Sequence, residues 1–240
     1  MTTLFERAYD FGNMSSWAVQ DIVGNEYDFA QQFNDRRAFV THFGWSLPCK
    51  EAVEAIKTHT RQPLFDVLAG TGYWTKILRQ AGVNVIASDI HKLTNKNDYH
   101  KRDNCEVSLK TDKPKIIRRN ALKVAYHIAT GRLQGDLFLS WPPYQGSFAF
   151  DVLSLVPIGT RVVYIGEGEG GCTADAAFHK CLELNYAEIC CVQLPQFVGI
   201  HDYLAIYEKD NNYAINPKFR GVCYYREPDE DEEEELKEVA

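Results

Sequence analysis

Nothing in the 240 residues approaches eighteen consecutive apolar positions, so the sequence holds no candidate membrane-spanning helix. The opening MTTLFERAYDF carries acidic residues and lacks the apolar centre of a secretion signal. A soluble, intracellular protein, cytoplasmic or nuclear, with no membrane partner is therefore expected. Metal-site spacing is absent as well. Cys172, His179 and Cys181 form neither CxxC nor HxxxH, and no metal is expected. The seven cysteines are odd in number and sit mostly in apolar runs such as AEICCVQL, a pattern of reduced thiols rather than of a disulfide framework.

The net charge of −7 is unevenly spread. From Glu227 onward, EPDEDEEEELKEVA holds nine acids and one lysine, a net of −8, which leaves +1 for the remaining body. This tail reads as a disordered segment that serves solubility, shields a basic surface or engages a basic protein partner. Between His91 and Lys123 ten Lys/Arg face four acids, a local excess of +6. The Lys92–Lys123 region is either a solvated surface or a phosphate-facing one, and the second reading makes nucleic acid a candidate partner.

With 45% hydrophobic residues the chain can bury one sizeable core. Residues 1–62 read as aromatic-rich helices, over 27–43 and over LPCKEAVEAIKTH, packed beside a main domain spanning 63–226, with the tail at 227–240. Within the domain, apolar runs alternate with amphipathic ones. LFDVLAG, VNVIASD, PKIIRRNA, GDLFLSW, TRVVYIGE, AEICCVQLPQF and HDYLAIYEK read as seven strands, and helices fall between most of them. The spacing predicts a doubly wound α/β domain with a mostly parallel seven-stranded sheet, closed by an antiparallel pair.

In such a sheet, ligands bind beyond the carboxyl ends of the strands. The first strand ends in Ala69-Gly70-Thr71-Gly72, where missing Cβ atoms allow a tight turn and close ligand approach. The helix beginning near Tyr73 points its amides at the same place. About twenty residues on, the second strand ends at Asp89, whose carboxylate can accept two hydrogen bonds from ribose hydroxyls.

Together these resemble the class I S-adenosylmethionine-dependent methyltransferases: an acid and a glycine turn, here Asp66-Val-Leu-Ala-Gly-Thr-Gly72, then a ribose-binding acid, Asp89. The resemblance implies a Rossmann-like fold, S-adenosylmethionine as cofactor, and Asp66, Ala69, Gly70, Thr71, Gly72, Asp89 and Asn120 as cofactor-binding residues. Leu68 stands where the family usually has its first glycine. Dinucleotide dehydrogenases would require a third glycine where Thr75 stands. Asn120 either reads the adenine or caps the following helix.

The fourth strand runs into Ser140-Trp141-Pro142-Pro143-Tyr144, where two prolines must end strand pairing in a rigid turn. The segment resembles the fourth motif of nucleic-acid amino-methyltransferases, an Asp, Asn or Ser followed by Pro-Pro and an aromatic. That resemblance implies a planar acceptor pocket and makes Trp141, Pro142, Pro143 and Tyr144 the candidate catalytic residues. The indole of Trp141 donates a hydrogen bond but cannot accept one. Strand alternation would turn Ser140 to the opposite face, which leaves a proline carbonyl and Tyr144 as the expected acceptor contacts.

Farther on, Gly166-Glu-Gly-Glu-Gly-Gly-Cys-Thr173 is either a flexible connector or a functional loop in which Glu167 and Glu169 orient an amine and Cys172 lines the pocket. Trp45, Leu47 and Pro48 precede the first core helix; segments similarly placed in the resembled family often fold over the cofactor, but Trp45 is expected in the core. The expected activity is methyl transfer to a nitrogen of a nucleic-acid base, and the alternative is a scaffold of the same fold that has lost transfer, with Leu68 and Trp141 marking the loss.

Overall fold

The computed structural model describes residues 36, 37, 40, 43–90, 115–197 and 199–221. The expected aromatic helix over 27–43 falls almost wholly outside them, as do most of the basic stretch and the whole acidic tail. The described elements, in chain order, are α1 (Lys50–His59), β1 (Leu64–Asp66), α2 (Tyr73–Gln80), β2 (Val85–Asp89), β3 (Ile116–Arg118), α3 (Ala121–Ala129), β4 (Asp136–Ser140), α4 (Phe148–Leu155), β5 (Arg161–Gly166), α5 (Ala176–Asn185), β6 (Tyr186–Gln193) and β7 (Tyr203–Lys209).

The seven strands form one sheet in the order β3-β2-β1-β4-β5-β7-β6. Strands β1 to β5 pair in parallel, and β7 runs antiparallel between β5 and β6. This is the doubly wound, mostly parallel sheet expected of the sequence. The chain steps outward from β1 through β2 to β3 and then returns to β4 on the other side of β1. Such a reversal opens a crevice at the carboxyl ends of β1 and β4.

Strand alternation divides the core into two layers. Leu64, Phe138, Val163, Ile165, Leu204 and Ile206 point to the side covered by α1 and α2. Phe65, Leu137, Leu139, Val162 and Tyr164 point to the side covered by α3, α4 and α5. Both faces of the central strands are thus buried, so β4 and β5 appear in sequence as nearly continuous apolar runs, whereas the edge strand β3 is only half-buried and the edge strand β6 is largely exposed. In α1, Ala52, Val53 and Ile56 form the buried stripe that a 3.6-residue period requires. In the same layer lie Phe43 and Leu47, which bring the residues before α1 against the sheet.

At the opposite end of the sheet from the crevice, the fully buried Asp136 accepts from the backbone N–H of Arg61 at 2.6 Å, from its Nη2 at 2.8 Å, and from the N–H of Arg161 at 3.0 Å. Lys209 is buried too, and its ammonium donates to the carbonyls of Leu153, Ser154 and Val156 at the end of α4. Both groups answer the rule that buried charge needs close polar partners.

Candidate cofactor and acceptor site

The glycine turn leaves β1 with Gly70 at φ 52° and Gly72 at φ 79°, left-handed conformations that favour glycine at both places. Gly72 N donates to Ala69 O at 2.7 Å and closes the turn. Thr71 is buried and its hydroxyl donates to the carbonyl of Phe43, fastening the segment before α1 over the turn.

Two carboxylates flank this turn. Asp89, at the end of β2, accepts the N–H of Gly70 at 2.9 Å through Oδ2. Asp66, at the end of β1, is 1% exposed and accepts from the Thr75 hydroxyl at 2.6 Å through Oδ2. Its other oxygen, Oδ1, is buried with no side-chain hydrogen-bond partner among the described residues. Burial pushes the Asp66 carboxyl up to about 7, against the opposing pull of the Thr75 hydroxyl and the backbone N–H of Leu68. A buried acceptor without a partner is costly unless a ligand supplies the donor.

Asp66, Leu68, Ala69, Gly70 and Thr71 line a cleft together with Phe43, Gly44, Trp45, Tyr73, Trp74, Phe138 and Ser140. The cleft is open to solvent at its mouth. The donor set fits an adenosylated amino acid: an acceptor at the floor for an ammonium group, backbone N–H groups at the turn, and aromatic walls. Leu68 occupies the wall where glycine was the family expectation. Trp45, expected in the core, instead faces this cleft.

The end of β4 departs from the sequence reading. Ser140 was expected on the face away from the site, but it lines the cleft two residues after Phe138, as alternation along β4 itself requires. Alternation does not continue into Trp141. Trp141 has φ 51°, a conformation unusual for a residue with a large side chain, and this bend brings it to the same side as Ser140. Its ring stacks on Trp45 with centroids 5.5 Å apart, and its Nε1 donates to Asp202 Oδ2 at 3.2 Å. The guanidinium of Arg36 lies 5.4 Å from the Trp45 ring centroid and 5.9 Å from that of Trp141.

Neither proline carbonyl stands open in the way expected of the acceptor motif. Pro142 O accepts from Ala174 N at 3.0 Å, and Pro143 O accepts from Gly146 N at 3.1 Å. A carbonyl has a second lone pair, but its first is committed to closing this turn. Tyr144, by contrast, is 55% exposed and stands out beside Pro143.

The glycine loop after β5 is an ordered fold around Glu167, not a loose connector. The Glu167 carboxylate is buried and accepts from Cys172 N at 2.7 Å and His201 N at 2.8 Å. Thr173 Oγ1 accepts from Glu167 N at 3.0 Å and meets the Tyr164 hydroxyl at 2.6 Å. A Cβ at Gly171 would overlap Glu167, which accounts for that glycine by close approach. Glu167 thus holds the loop together through the backbone amides of Cys172 and His201. Asp175 caps α5 by accepting from Phe178 N at 2.8 Å.

Asn120 caps α3, its Oδ1 accepting from Leu122 N at 2.8 Å. Of the two roles open for it, the structure displays the cap, and only the side-chain NH2 could add an adenine contact. Asp202 was not singled out in the sequence. It sits before β7 outside any recognisable motif, 2% exposed, with its carboxyl pushed up to about 7 by burial. No helix among the described residues is long and apolar enough to cross a membrane.

No protein-family model and no curated protein matches the sequence. Solved structures with a similar course of chain include a magnesium protoporphyrin IX methyltransferase from Synechocystis with bound SAM, 13% identical, over 87% of this chain and 92% of that one, with a TM-score of 0.41. Another is the 1,6-didemethyltoxoflavin-N1-methyltransferase of Burkholderia thailandensis with S-adenosylhomocysteine, 13% identical over 77% and 86%, with a TM-score of 0.44. A third is an N-methyltransferase of Bradyrhizobium japonicum, 9% identical over 75% and 98%, with a TM-score of 0.42.

Proposed function

We propose that this protein is an S-adenosylmethionine-dependent methyltransferase. The observation that carries the proposal is the buried Oδ1 of Asp66, held by no side chain, at the floor of a cleft built by the glycine turn and flanked by Asp89. In this reading Asp66 accepts from the amino group of the cofactor, Asp89 from its ribose hydroxyls, and the Gly70–Gly72 turn admits its backbone contacts. When bound, the cofactor supplies an electrophilic methyl group on a sulfonium. The protein's own work is then alignment and exclusion of water, because a nitrogen lone pair needs little base assistance.

The acceptor side favours a planar substrate. Tyr144 presents an exposed ring beside a turn made rigid by two prolines, and Ser140 offers a hydroxyl within the cleft. The excess of +6 between His91 and Lys123 in the sequence favours a polyanion as the carrier of that planar group. We therefore propose a base nitrogen of nucleic acid as the acceptor, with an intracellular site of action. The test is transfer of a tritiated methyl group from S-adenosylmethionine to RNA, single-stranded DNA and aromatic amines in parallel. Label on nucleic acid that digestion traces to a base supports the reading. Label on small amines alone overturns the acceptor class.

A second reading has its own support. The committed lone pairs of Pro142 and Pro143, and the donor-only indole of Trp141, would suit a scaffold that binds the cofactor without transferring from it. Cofactor binding without transfer to any of the three acceptor classes would select it.

A further inference from the structure

We propose that Asp202 is a positioning residue, holding the Trp141 ring against Trp45 and so fixing the acceptor turn to the wall of the cofactor cleft. The inference rests on the methyltransferase reading and deepens it. Trp141 is held from three directions: its N–H donates to Ile165 O at 2.7 Å, the next carbonyl accepts from Ala174 N, and Nε1 reaches Asp202. A left-handed tryptophan persists only where its surroundings over-determine it. Asp202 is itself anchored, because its carbonyl accepts from Gln196 Nε2 at 2.8 Å and Tyr203 next to it pairs with Gly166.

Trp45 faces the cleft with one surface and Trp141 with another. A ligand that presses on Trp45 is therefore one ring away from the acceptor turn. The charged groups facing Asp202 are Arg36, which attracts its carboxylate, and Glu167, which repels it. Arg36 lies across both indoles and is attracted to Asp202, so it joins the same cluster. A buried carboxylate is costly where an apolar side chain would pack, and its raised protonation range reflects that cost.

The test uses the full chain and the emission assigned to Trp141 by subtracting the spectrum of Trp141→Phe. In Asp202→Ala the ligand-free Trp141 emission should move to the red, and affinity for S-adenosylhomocysteine should fall several-fold. Asp202→Asn, whose amide oxygen still accepts from the indole, should restore both. Wild-type Trp141 emission should also titrate between pH 6 and 8, and that of Asp202→Asn should stay flat, a comparison that holds even if the alanine variant fails to fold. Unchanged emission in Asp202→Ala, or an Asp202→Asn variant that titrates like wild type, overturns the positioning role. Failure of wild type to bind S-adenosylhomocysteine overturns the cofactor reading instead, and the ligand-free emission still decides the role of Asp202.

Discussion

Asp89 Oδ2 accepts the N–H of Gly70 at 2.9 Å, so the acid that ends β2 is tied directly to the turn that leaves β1. That carboxylate thereby shapes the turn that lines the cleft, although Asp89 is not itself among the lining residues. Replacing it by alanine should remove this contact and the one proposed to a ribose, and weaken S-adenosylhomocysteine binding by about 1–3 kcal/mol. Asp89→Asn keeps an acceptor for Gly70 and should lose less. Isothermal calorimetry on the two variants checks the order.

Asp66 should make cofactor affinity depend on pH. Its carboxyl, raised to about 7 by burial, must ionise to hold an ammonium group, so affinity should rise from pH 6 to 7.5 in wild type and stay flat in Asp66→Asn.

Stability should carry the opposite sign. The folded protein retains a proton on Asp66 that the unfolded chain releases near 4, so this residue's contribution falls as pH rises from about 4 to 7. Asp66→Asn keeps an acceptor for Thr75 and removes the buried charge. It should melt higher than wild type at pH 8 and alike at pH 4, as read by thermal denaturation.

Gly221 lies against the acceptor turn. Its N–H donates to Asp175 Oδ2 at 2.7 Å, and a Cβ there would overlap the carbonyl of Gln145. Gly221→Ala should push the Pro142–Gln145 turn and lower methyl transfer, with S-adenosylhomocysteine affinity unchanged. Equal transfer rates in the two proteins would remove this contact from the account.

Tyr144→Ala tests the acceptor side more directly. Because the ring is 55% exposed, its loss should cost little stability, within about 0.5 kcal/mol. Transfer should nonetheless fall by about 1–3 kcal/mol of stacking energy if a base lies on that ring. An active, unchanged variant removes Tyr144 from the site.

The strands and the glycine turn were readable in the sequence for physical reasons. A sheet buried on both faces demands apolar runs such as Leu137–Leu139, and a φ near 79° at Gly72 demands a residue without Cβ. The end of β4 was not readable, because its reading assumed regular alternation and Trp141 breaks it with a left-handed backbone that its residue type does not announce. The occupied carbonyl of Pro142 was hidden for a related reason, since its partner is Ala174, distant in sequence. Asp202 gave no signal at all. A single acid before an apolar strand looks like a solvated strand end until the fold buries it beside an indole. The role of Glu167 likewise depends on backbone amides from Cys172 and His201 that only the folded loop assembles.

The central claim is that the cleft between β1 and β4 holds an adenosylated amino acid. Calorimetric titration of the wild-type chain with S-adenosylmethionine and S-adenosylhomocysteine, with Asp66→Asn beside it at pH 7.5, tests it most directly. Wild type should bind both ligands saturably at one site, and the variant should lose about tenfold or more in affinity. Absence of binding by wild type, or equal affinity in Asp66→Asn, would contradict it.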